Sequence, residues 1–246
     1  MKRALITGGQ QGIGLGIAQA LHGAGWQVAL AAEQPADAPA VQAALAAMPG
    51  ATYHRHDLSD ISSVAALMEA VGPVTTFVSN AGVPAMVRGD LLDMTAESFD
   101  RCMAINLRGA FFLAQEVARR MLALPPDPFR SIIFVTSVSA TMVSPDRAEY
   151  CMSKAGAAMM AQAFAARLAA DNIGVYDIRP GIIATPMTAP VVDRYDQRIA
   201  DGLVPARRWG TPADIAQTIL PLARGDFAFA TGAVIPVDGG LSIPRL

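Results

Sequence analysis

The sequence predicts an α/β protein: a single doubly wound, parallel sheet of about seven strands with helices on both faces. Three observations point there. Short apolar runs alternate with helix-periodic segments, a glycine-rich turn directly follows the first run, and no linker interrupts the alternation over 246 residues. Parallel strands need right-handed crossovers, and those place the connecting helices on both faces of the sheet.

The elements follow in order. Strand Ala4–Thr7 leads through glycines into helix Ile13–His22. Strand Val28–Ala31 is followed by the proline-rich loop Pro35–Pro39 and helix Val41–Met48. Strand Thr52–His56 precedes helix Ser62–Val71, and strand Thr76–Ser79 precedes the long pattern Ala96–Leu124, enough for two helices. A second proline-rich loop, Pro125–Pro128, leads to strand Ile132–Thr136, then helix Tyr150–Asp171 and strand Val175–Ile178. Thr211 before Pro212 reads as an N-cap with proline at the first helical position, opening helix Pro212–Leu222. Strand Ala233–Val237 ends the series.

Composition narrows the function classes. Hydrophobic residues make up 52% and charged residues 16%, so the chain buries a core as one domain, 1–246, rather than staying disordered. A net charge of −2 implies neither a nucleic-acid footprint nor a membrane-surface patch. Cys102 and Cys151 offer no framework of bridges, so a reducing, cytoplasmic setting is expected. The apolar run after Lys2 and Arg3 is too short for a signal peptide, and Gln162 and Arg167 interrupt the most apolar helix. His54 and His56 have no ligand-like partner set, and no metal is expected.

Chemistry enters at the first turn. Gly8, Gly12 and Gly14 enclose Gln10, Gln11 and Ile13 in a G-x-x-x-G-x-G spacing between a strand and a helix. Glycines there allow a tight turn and close backbone approach to a pyrophosphate on the helix N-terminus, as in Rossmann-type folds. Glu33 follows Gly14 by 19 residues, where an acid can accept bonds from an adenosine ribose. No Arg or Lys occurs in the glycine loop or between Val28 and Ala51, which favours NAD(H) over NADP(H). The competing reading has Glu33 facing solvent. Further along, Tyr150 and Lys154 lie four residues apart, on one helix face, with Ser137 thirteen residues upstream of Tyr150. A phenol held beside an ammonium gives up its proton more readily, which suits exchange with an alcohol or carbonyl oxygen.

These motifs, with Asp57-Leu58, Asn80-Ala81-Gly82, Asn106-x-x-Gly109 and Pro180 to Thr185, occur in one order over nearly the whole chain. In that order they resemble the short-chain dehydrogenase/reductase family, in its shorter branch of 3-oxoacyl-[acyl-carrier-protein] reductases and sugar or polyol dehydrogenases. The resemblance implies a role for each residue. Asp57 and the Leu58 backbone would meet adenine; Asn80, Ala81 and Gly82 would line the ribose side and steady the sheet. Pro180, Gly181, Ile183 and Thr185 would hold the nicotinamide, with the Ile183 backbone on its carboxamide. Lys154 would bind the nicotinamide ribose, Tyr150 would exchange the proton, Ser137 would hold the substrate oxygen, and Asn106 would hold a relay water. The family also implies a homotetramer, with a dimer as the fallback, through helix Tyr150–Asp171, the Ile105–Met121 helix and the Gly232–Gly240 segment.

The leading function is therefore carbonyl–alcohol interconversion with a nicotinamide cofactor on a small-molecule substrate: a 3-oxoacyl thioester, or alternatively a sugar or polyol. A dinucleotide-sensing protein is the non-enzyme alternative; the full set Asn106, Ser137, Tyr150 and Lys154 argues against it, since a sensor needs no proton relay. Enoyl reductases of related fold place the lysine further from the tyrosine, and position 157 here is alanine. Nucleotide-sugar epimerases carry a longer substrate region. The substrate is expected against Val83–Val87, Ser137–Val143 and a mobile stretch Met187–Leu203, with Arg88, Arg194 and Arg198 able to meet a carboxylate or phosphate. Asp146, Arg147 and Glu149 read either as a solvated loop with local ion pairs or as substrate-facing residues.

Overall fold

The structure, a computed structural model, describes residues 2–245. Seven strands form one parallel sheet: β1 (Arg3–Thr7), β2 (Gln27–Ala32), β3 (Thr52–Arg55), β4 (Thr76–Ser79), β5 (Arg130–Val135), β6 (Ile173–Pro180) and β7 (Val234–Val237). Their order is β3-β2-β1-β4-β5-β6-β7. The chain builds outward from β1 in one direction, then returns to β4 and builds in the other. The crevice at that reversal, beyond the carboxyl ends of β1 and β4, is where such sheets bind ligands.

Helices α1 (Gly12–Gly23), α2 (Pro39–Ala47), α3 (Val64–Val71), α4 (Ala96–Met103), α5 (Ala110–Leu122), α6 (Ala148–Leu168), α7 (Val192–Ala200) and α8 (Pro212–Arg224) complete the described elements, apart from short single turns. Two cores flank the sheet. On one face Val64, Leu67 and Met68 of α3, Leu113 and Val117 of α5 and Ala157 to Leu168 of α6 pack on Leu5, Phe77 and Ile132. On the other, Ile17 and Leu21 of α1 and Ile215 and Ile219 of α8 pack on Ile6, Val78, Ile133 and Ile178. Central strands are thus buried on both faces, which explains their unbroken apolar runs. At the start of β5, buried Arg130 donates from its two Nη atoms to carbonyls, Met121 (2.8 Å) and Leu124 (3.3 Å) at the end of α5 and Asp171 (2.6 Å) after α6, while its Nε has no partner. They lie at helix C-terminal ends, where a cation is favoured.

The Ala96–Leu124 pattern holds two helices, as expected, and they run on without a loop, joined by a π-helical turn at Ala104–Gly109. The stretch Met187–Leu203 includes α7. The middle of α7 is held by Tyr195 edge-on to Trp209 (6.1 Å between centroids) and by the Trp209 indole N–H on Asp196 (2.7 Å).

Candidate active site

One cleft of about 1100 Å³ runs across the carboxyl ends of the strands, from Glu33 at one end to Arg198 at the other. At its centre β1 turns into α1. Gly8 and Gly12 take φ of +67° and +54°, the left-handed region in which glycine is unstrained. A Cβ on Gly14 would strike the Gly8 carbonyl and come within 2.6 Å of Asn80 Nδ2. No side chain caps α1, so its first N–H groups remain open toward the cleft mouth, and the buried Gln10 Oε1 has no partner. Such a cradle fits a pyrophosphate. Asn80 braces it from β4: its Nδ2 donates to Thr7 O (2.9 Å), while the Asn80 and Ala81 N–H groups both bond Thr7 Oγ1 (3.0 Å each). The far wall is the segment after β6. Gly181 N bonds Val237 O (3.1 Å), Ile183 bridges to Gly210, and the Thr185 side chain arches toward Gly12.

Of the residues singled out from sequence, Gly8, Gln10, Gln11, Gly12, Ile13, Glu33, Asp57, Leu58, Asn80, Ala81, Gly82, Ser137, Tyr150, Lys154, Pro180, Gly181, Ile183 and Thr185 line this cleft. Gly14 and Asn106 support it from behind. Lys154 is buried; its Nζ donates to Val135 O at the end of β5 (3.1 Å) and lies 5.8 Å from the centroid of the Tyr150 ring. A Cβ on Gly82 would lie 3.6 Å from that Nζ and 3.1 Å from Asn106 Oδ1, so Gly82 keeps the space beside the ammonium open. Ser137 sits in extended backbone just past β5, and its Oγ accepts the Ser139 N–H (3.0 Å). Asn106 occupies the π-helical turn, a distortion often kept at functional sites. Its Oδ1 accepts Val83 N (2.7 Å), and its Nδ2 donates to Val83 O (2.9 Å) and Ser153 Oγ (3.0 Å). The side chain thus clips the exit of β4 onto α6, and both its amide protons are already engaged. A hydroxyl and an ammonium meeting beside a dinucleotide-shaped cradle can hold an oxygen and pass a proton to or from it.

Sequence similarity agrees with the geometry. The family model described as "Enoyl-(Acyl carrier protein) reductase" matches residues 8–242. The chain belongs to the short-chain dehydrogenase/reductase family. It is 37% identical to the 3-oxoacyl-[acyl-carrier-protein] reductase MabA of Mycobacterium tuberculosis, over 98% of this chain and 93% of that protein. It is 30% identical to L-xylulose reductase of Bos taurus, over 97% of this chain and 96% of that protein. The crystal structure of a 3-oxoacyl-[acyl-carrier protein] reductase from Brucella melitensis in complex with NAD superposes with a TM-score of 0.94 at 44% identity, covering 100% of this chain and 98% of that one. As a short-chain dehydrogenase/reductase, the protein is an NAD(P)-dependent oxidoreductase acting on CH–OH groups.

Some residues differ from their sequence-based reading. Glu149 is no solvated loop residue: it is buried and accepts Ser98 Oγ (2.6 Å), which itself accepts Met86 N (3.2 Å) and so fixes the wall at Val83–Met86. Beside it, burial and then the Glu149 charge push the Cys102 thiol up to about 11, leaving an unreactive side chain. Asp146 does form local ion pairs, with Arg88 (3.3 Å) and Arg194 (3.5 Å), tying α7 to the loop before α6. Arg55 lies just past the Val28–Ala51 stretch that has no Arg or Lys, and nothing local in the sequence links it to Glu33. Parallel register sets it beside Ala32, where its Nε donates to Glu33 O (3.1 Å).

Proposed function

We propose that this enzyme interconverts a carbonyl and a secondary alcohol with Tyr150 as the acid–base residue and NAD(H) as the preferred cofactor. The observation that carries the reading is that one cleft joins the glycine cradle to Tyr150, Lys154 and Ser137. A bound nicotinamide supplies the hydride in reduction and accepts it in oxidation. Gly8 to Gly14 would hold its pyrophosphate, Glu33 and Asp57 with Leu58 the adenosine, Asn80, Ala81 and Gly82 the middle, and Pro180, Gly181, Ile183 and Thr185 the nicotinamide end. Tyr150 protonates the developing alkoxide or, as phenolate, takes the alcohol proton. Ser137 donates to the same oxygen and stabilises its charge. Lys154 meets the ribose hydroxyls in the space Gly82 leaves. Asn106 positions the β4 exit against α6 and keeps a water next to Lys154.

For the substrate, the 3-oxoacyl thioester reading rests on the names of the MabA and Brucella relatives. A second reading, oxidation of a sugar or polyol, is favoured by Glu33 on the cleft and is supported by the L-xylulose reductase likeness. The test is reduction of a short 3-oxoacyl thioester with NADH and NADPH, followed by a panel of sugars and polyols with NAD. Tyr150→Phe is expected to lower kcat by at least about 10²–10⁴-fold while dinucleotide binding persists. Normal turnover in that variant would sink the assignment.

The protein is further proposed to be one catalytic domain, cytoplasmic, and a homotetramer. Two free thiols fit the location, and no described helix is long and apolar enough to cross a membrane. Met152 and Met159 on α6 and Phe111 and Phe112 on α5 leave an apolar face exposed, which supports assembly.

A further inference from the structure

Arg147 lies at the end of the loop before α6, inside the cleft. Its guanidinium carbon is 5.1 Å from the centroid of the Tyr150 ring. Its Nη2 donates to Ser139 Oγ (3.1 Å), and Ser139 N in turn donates to Ser137 Oγ (3.0 Å). The cation is therefore set on the hydrogen-bonded group that carries Ser137, beside the phenol. Its Nε is buried with no hydrogen-bond partner. Neighbouring acids are committed elsewhere: Asp146 to Arg88, Arg194 and Ser144, and Glu149 to Ser98. Among the described residues no carboxylate lies within ion-pair distance of Arg147. Arg147 is half-buried, and among the described residues its Nη1 has no hydrogen-bond partner, so the guanidinium keeps an accessible donor that an anion can complete, and a carboxylate matches its fork.

We propose that Arg147 is a specificity-determining residue that binds a carboxylate carried by the substrate a few bonds from the reacting carbon. The preferred substrate is then a short oxo or hydroxy acid, sugar acids included. A carrier-bound thioester presents only a neutral carbonyl there, its phosphate lying many bonds away along the pantetheine arm. This rests on the reading of Tyr150 as the acid–base residue, because it is Tyr150 that places the reacting oxygen next to Arg147.

The test uses probes that differ near the reacting carbon in whether a carboxylate is present: acetoacetate against methyl acetoacetate and acetoacetyl-CoA, and gluconate against glucitol. In at least one pair the acid is expected to exceed its neutral partner in kcat/KM by about 10- to 100-fold, the range of a hydrogen bond to a charged group. Arg147→Gln should raise KM for the acid by a similar factor and for the neutral partner far less; Arg147→Lys should recover part of the loss. A merely structural role would move both members of a pair together, and that result overturns the proposal, as does an acid that wins in no pair. Quenching of NADH fluorescence in the NADH-saturated protein measures acid binding without turnover. Tyr150→Phe should keep that binding and lose turnover. Persisting turnover in Tyr150→Phe refutes the acid–base reading, whereas loss of the acid preference with Tyr150 still essential refutes only the anion site.

Discussion

At the scale of single residues, cofactor choice turns on two charges of opposite sign. Glu33 is exposed on the rim of the cleft, and Arg55 reaches across from β3 to the Glu33 carbonyl. A carboxylate there accepts ribose hydroxyls and repels a 2′-phosphate, while a guanidinium would attract one. On the proposed reading the repulsion outweighs the attraction, and NADH should be preferred. Replacing Glu33 with Ser should raise kcat/KM for NADPH relative to NADH by about tenfold, equivalent to roughly 1.4 kcal/mol, with Arg55 then free to meet the phosphate. Steady-state kinetics with both cofactors checks this. An unchanged ratio would mean that Glu33 faces only solvent. Glu33 itself was legible as an acid about one βα unit beyond the glycines. Arg55 was not, since only the pairing of β2 with β3 brings it there.

Among the elements, α8 shows how much local chemistry decides. Thr211 Oγ1 accepts the Asp214 N–H (3.3 Å), and Asp214 accepts the Thr211 N–H (2.7 Å), a reciprocal cap that leaves two fewer orphan donors at the helix start. Gly225 closes the other end in the left-handed region at φ +86°. Thr211→Ala should cost about 1 kcal/mol and lower Tm by about 2–4 °C in a thermal melt. Asp214 adds a pH dependence. Its carboxyl is held well below the usual range, first by the Arg208 guanidinium and then by the Thr211 backbone N–H. A depressed folded value stabilises above the unfolded value near pH ~4 and is lost as pH falls toward the folded one. Thr211 Oγ1 also donates to the Asp214 carboxylate (2.9 Å), and the part of the Thr211→Ala penalty that comes from this bond should therefore shrink in acid. By contrast, the π-helical turn at Ala104–Gly109 has no local signature. Asn106 is drawn out of α-helical register by bonds to Val83 and Ser153, both far away in sequence.

For the whole molecule, the exposed apolar face carries the prediction. Met159 is 70% exposed in the middle of α6, with Met152 one face-repeat away and Phe111 and Phe112 on the neighbouring helix. Light scattering on the purified protein should give the mass of four chains. Met159→Glu puts a charge on that face and should reduce the assembly to dimers, with the remaining contact made through the β7 edge. A wild-type monomer would refute this use of the face. The sequence reads this helix as the most apolar in the chain; its own sheet covers one side, through Ala157, Ala161, Ala165 and Leu168.

What the sequence determined by itself is whatever a single turn or a single helix can hold. The glycine loop needs Gly8, Gly12 and Gly14 within a few residues because the chain must reverse tightly over a helix start. Tyr150 and Lys154 share a face because residues four apart on a helix do so in any fold. The strand–helix alternation likewise predicted all seven strands in their places, since the central strands are short apolar runs buried on both sides, while the edge strands β3 and β7 are only partly buried. What only the tertiary structure decided are the contacts between elements distant in sequence: Arg55 beside Glu33, Glu149 on Ser98, Asn106 between Val83 and Ser153, and α7 tied to Asp146. Such contacts depend on strand register and helix packing, which sum over many weak apolar interactions and leave no mark at any one position. Arg147 is the clearest case. As a letter in the sequence it reads as one more loop cation, and only the fold of the loop before α6 sets it against Tyr150 with a buried, unpartnered nitrogen.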